Sequence, residues 1–79
     1  MNLQEKLCET ADNQRIRNTE LLIEDLRKLA YEYASNGYKS MYHKVEKPVN
    51  WSVIKQHFVE QGLNVEVDTL FNTIQLKWY

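Results

Sequence analysis

Apolar residues recur along this chain with two different periods, and the change of period divides it. From Asn2 to Ser35 there is no proline or glycine, and Leu, Glu, Lys, Arg, Gln and Ala predominate, a composition that favours helix. Ile16, Ile23, Leu26, Ala30 and Tyr33, flanked by Leu22 and Leu29, recur at helical spacing and predict an amphipathic helix with one packed face. Leu3, Leu7 and Ala11 do not continue that stripe cleanly. The polar run "TADNQR" intervenes, and Asp12 and Asn13 can both cap a new helix. Residues 1–12 therefore read as a short or frayed N-terminal helical segment, and residues 13–79 as a single domain. One helix of more than thirty residues would outrun a domain this small, which leaves its front end free to meet another subunit.

"ASNG" closes the helix, with Gly37 suited to the left-handed position at its end. Tyr31 and Tyr33 stand two apart, so only one of them can face the core. Beyond Gly37 the period becomes two. "YKSMYHKVEK" puts Met41 and Val45 on the inner side and Tyr38, Ser40, Tyr42 and Lys44 on the other. Pro48 ends that strand, and Asn50 caps a helix in which Trp51, Ile54 and Phe58 form the stripe and Gly62 the terminus. "LNVEVD" then sends Leu63, Val65 and Val67 inward, and "TIQLKWY" does the same with Ile74, Leu76 and Trp78. The loop "TLFN" joins them as a hairpin.

The predicted fold is α+β, a two-layer αβαββ arrangement with two helices packed on one face of a three-stranded mixed sheet. A helical crossover makes the first two strands parallel. The third, antiparallel to both, fits between them as the central strand, and the second face of the sheet is left open.

A helix ending in "ASNGY", an aromatic strand, the helix "VIKQHFVEQG", then "LNVEV" and a closing "TIQLKW" together resemble a group of small, widely distributed bacteriophage proteins of unassigned function. The resemblance covers residues 30–79 and rests on apolar spacing, Gly62 and the terminal tryptophan. It implies a phage-encoded accessory protein and transfers no active-site residue.

Composition narrows the picture further. Seventy-nine residues with 43% apolar and 27% charged side chains suit one modest globular domain. No apolar run reaches the length of a membrane span and the N-terminus lacks a signal core, so the expectation is a soluble protein of the cytoplasm, the host's if phage-encoded, with no membrane partner. Net charge is −1 but unevenly placed: residues 36–59 carry four bases and one acid, while the flanking stretches are acidic.

Covalent chemistry has little to work with. Cys8, His43 and His57 sit far apart without a glycine-rich elbow, and the histidines lack paired-ligand spacing, so no enzyme, metal or cofactor is expected. The expected role is binding. Leu3 and Leu7 on the front segment, and Leu70 and Phe71 at the hairpin, are the candidate protein-contact residues; the hairpin pair is expected to fold over the end of the core, or else to stand out as an anchor. Tyr42, Lys44, Lys77 and Tyr79 share the open sheet face as a candidate binding face. The leading expectation is a small phage-type accessory protein that self-associates and engages a host or viral protein. Nucleic-acid or nucleotide binding through the tyrosines and lysines is the alternative, because open sheets stack bases on aromatic side chains and neutralise phosphates with cations. A virion structural component is the third reading.

Overall fold

The structure is a computed structural model that describes residues 2–79. Its elements are α1 (Leu3–Ser35), β1 (Ser40–Lys44), α2 (Trp51–Glu60), β2 (Asn64–Asp68) and β3 (Thr73–Lys77). The fold is α+β, and the sheet order β1-β3-β2 puts β3 in the centre. The sheet is antiparallel rather than mixed. β1 and β2 do run in the same direction, but each pairs only with β3, so no parallel ladder forms.

α1 is one uninterrupted helix of 33 residues, not a short segment followed by a second helix at residue 13. Its N-cap is Asn2, whose Oδ1 accepts the Glu5 N–H at 2.8 Å. Asp12 and Asn13 do not cap because the residues before them are already helical, and nothing in "TADNQR" breaks a backbone ladder. Both helices end alike. Gly37 and Gly62 adopt φ +90° and +88°, and each closes a Schellman motif: Tyr38 N–H returns to Tyr33 O at 3.0 Å, and Leu63 N–H to Phe58 O at 3.1 Å. The hydrophobic contact that accompanies this motif is made at α1 by the rings of Tyr33 and Tyr38, edge to face with centroids 5.6 Å apart. Tyr33 is the half-buried tyrosine of its pair and Tyr31 the exposed one.

Leu22 and Leu26 of α1, Ile54 and Phe58 of α2, and Met41, Val45, Ile74 and Leu76 form one buried cluster. These are the inward positions of the alternating strands, joined at the rim by Val65, Val67 and Trp78. Ile16 is not among them; it is exposed, because α1 meets the rest of the molecule only from Asn18 onward.

The linker from β1 to α2 is held to α1 by two buried polar side chains. Asn18 Nδ2 donates to Pro48 O at 3.0 Å, and Thr19 Oγ1 accepts the Asn50 N–H at 2.8 Å while donating to Arg15 O. Gln14 Nε2 in turn donates to Asn18 Oδ1. Backbone groups of a linker crossing the core edge need such partners.

Candidate functional site

Residues 3–17 of α1 are all exposed. At 1.5 Å per residue they make an arm roughly 22 Å long, which accounts for the molecule's 52 × 22 × 21 Å extents. The direction of the arm follows from two fixed points. Tyr33 sits against Tyr38, before β1, and Asn18 is bonded to Pro48, beyond it, so α1 runs antiparallel to β1 and the arm extends past the C-terminal end of that strand. Leu3 and Leu7 are 71% and 60% exposed and stand one turn apart on the arm. Cys8 is a free, exposed thiol beside them.

The hairpin tip lies at the same end. Val45 N–H donates to Asn72 O at 2.7 Å, tying the close of β1 to the loop that carries Leu70 and Phe71. These two are 81% and 64% exposed, and so stand out rather than fold over the core. The turn explains why. Asp68 Oδ1 accepts the N–H groups of Leu70 and Phe71, and Asn72 takes a left-handed φ of +51°, a conformation asparagine tolerates. This local bonding stands the four-residue loop away from the cluster. Leu3, Leu7, Leu70 and Phe71 are therefore all exposed and belong to features at one end of the molecule.

The sheet face turned away from the buried cluster gathers Ser40, Tyr42 and Lys44 from β1, Thr73, Gln75 and Lys77 from β3, and Asn64, Glu66 and Asp68 from β2. Tyr42 is 65% exposed and stands opposite Gln75, while Lys44 stands opposite Thr73. Tyr79 lies past the end of β3, six residues from Thr73, so Lys44 and Tyr79 fall at opposite ends of the face, roughly 20 Å apart. Lys77 Nζ is 3.3 Å from Glu66 Oε1. Its charge is thus shared with a neighbour, and Asp68 balances Lys44 across the sheet. Counting the cations of β1 and β3 without the acids of β2 makes this face look basic; with β3 central, both edges contribute and the face is of mixed sign.

A groove of about 270 Å³ on the other side lies between the end of α1, the end of α2 and the end of the sheet, with Arg27, Ala30, Tyr31, Phe58, Leu63 and Trp78 in its lining. Trp78 is fixed there by its Nε1–H, which donates to Tyr38 O at 3.0 Å. His57 makes an edge-on contact with Phe58, and its Nε2 is buried without a hydrogen-bond partner. No helix among the described residues is long and apolar enough to cross a membrane. No family model, curated protein or solved structure matches the chain.

Proposed function

We propose a two-layer, non-enzymatic binding protein of the phage accessory type, which self-associates and presents the α1 arm to a host or viral protein. The observation that carries this reading is the fully exposed arm with Leu3 and Leu7, in a molecule whose other prominent exposed apolar pair, Leu70 and Phe71, stands at the same end. A helix that offers apolar residues one turn apart is a recurrent way for one protein to enter a groove on another. The mixed charge of the open sheet face supports protein over nucleic-acid recognition, since phosphate binding draws on uncompensated lysine or arginine.

Size-exclusion chromatography with light scattering, recorded at 260 and 280 nm, tests the reading together with affinity capture from infected-cell lysate. The expected result is an oligomer with a clean protein spectrum, and a captured protein that is lost when Leu3→Glu and Leu7→Glu are combined. A monomer that captures nothing overturns the proposal. Co-purifying 260 nm absorbance transfers the function to the open face.

A further inference from the structure

β1 is an edge strand, and its outer edge has no strand partner among the described residues. Val45 N–H donates to Asn72 O and Trp78 N–H donates to Lys39 O, so the odd-numbered residues along β1 turn their backbone groups toward β3. Antiparallel ladders alternate, and Ser40, Tyr42 and Lys44 accordingly hold their N–H and C=O groups outward along the open edge. A second β1, antiparallel and centred on Tyr42, would meet all of these groups. Tyr42 faces its own counterpart and Ser40 faces Lys44, so no like charges are opposed.

α1 adds a second self-complementary element above that strand. Leu21 and Asp25 line a hollow together with Lys44 and Val45, which places them on the β1 side of the helix; Arg27 and Tyr31 line the groove beside α2. Lys28, three residues from Asp25, shares the β1 side. Residues 18–25 lie beside the end of β1 and Tyr33 beside its start, so the middle of this span, near residue 26, stands over Tyr42. Asp25 and Lys28 straddle that point. A two-fold axis through Tyr42 brings Asp25 of each copy toward Lys28 of the other, and both residues are exposed with no salt bridge among the described residues.

We infer that two copies of this chain pair antiparallel along β1, about a two-fold axis at Tyr42, to form a six-stranded sheet with reciprocal Asp25–Lys28 contacts between neighbouring α1 helices. The inference rests on the proposed self-association and names its interface. The β2 edge is the less suited one, because its open-face side chains Glu66 and Asp68 are both acidic.

Light scattering over a concentration series, combined with cysteine cross-linking, tests this on the full chain. Opposed residues of a hydrogen-bonded pair lie about 5.5 Å apart at Cα, within disulfide reach. In a Cys8→Ser background, Tyr42→Cys should cross-link nearly completely on oxidation, whereas Ser40→Cys, which sits opposite Lys44, should not cross-link to itself. Tyr42→Pro removes an outward N–H that β3 does not use and should weaken dimerisation at least 100-fold, while Val65→Pro on the other edge leaves it unchanged. Asp25→Lys should also weaken it, with recovery on adding Lys28→Asp. A wild-type dimer that neither cross-links at position 42 nor responds to Tyr42→Pro and Asp25→Lys overturns this interface and leaves self-association standing. A wild-type monomer throughout the series overturns both.

Discussion

At the scale of single residues, the most consequential side chains are polar ones that sequence periodicity passes over. Thr19 sits in a run of helix-compatible residues and looks like a surface position, yet it is buried, because its hydroxyl accepts the Asn50 N–H 31 residues further on. Such a bond depends on where the linker passes, and no local pattern encodes it. Thr19→Val keeps the shape and orphans that N–H, so the variant should lose about 1–2 kcal/mol; for a domain of this size that lowers the melting temperature by roughly 4–16 °C, measurable by calorimetry. Asn50 was by contrast readable as a helix cap, since its position just before Trp51 needs only local geometry, and its Oδ1 does accept the Val53 N–H. The exposure of Leu70 and Phe71 was the harder question. Apolar residues at a turn do not reveal whether they fold back; the bonding of Asp68 and Asn72 decides it.

Elements were legible to the extent that their signals are local. β2 and β3 alternate strictly and β1 well enough for a strand, and the two glycine stops work at the backbone level, where only φ matters. A Cβ added to Gly62 would meet nothing within 4 Å, so the cost of Gly62→Ala is purely conformational. It should be about 1–2 kcal/mol. D-Alanine at the same position, introduced by chemical synthesis, should restore stability; equal losses for the two alanines in denaturant titrations would point to a steric cause instead. The continuity of α1 was not legible. Its apolar stripe lapses at "TADNQR" because that stretch has no core to face, and lapse of a stripe is not a break in the backbone ladder. The sheet's pairing departs from the expectation only in kind: strand directions and the central place of β3 follow from connection rules, whereas "mixed" would require β1 and β2 to be neighbours.

For the molecule as a whole, the buried core and the arm proposed for recognition occupy separate parts of the chain. The buried cluster begins at Leu22 and draws nothing from the arm. Deleting residues 2–12 spares Gln14 and its bond to Asn18, and should leave the melting temperature within roughly 2 °C, since exposed positions contribute little. The same deletion should abolish capture of the proposed partner protein. A melting temperature far below that of the full chain would show instead that the arm packs against a second copy and supports the fold.

The arm also differs from a free peptide of the same length. About 12–15 residues is the lower limit for an isolated helix in water, chiefly because the first turn is costly to form. Here that first turn is already made, since Leu22 and Leu26 hold the remainder of α1 against the sheet. Growth toward Asn2 then needs only propagation, one hydrogen bond per residue fixed, at a free energy close to zero. Amide protection along α1 should accordingly fall off gradually from Asn18 to Asn2, like a zipper fastened at one end, and a partner that gripped Leu3 and Leu7 would set how many teeth stay closed.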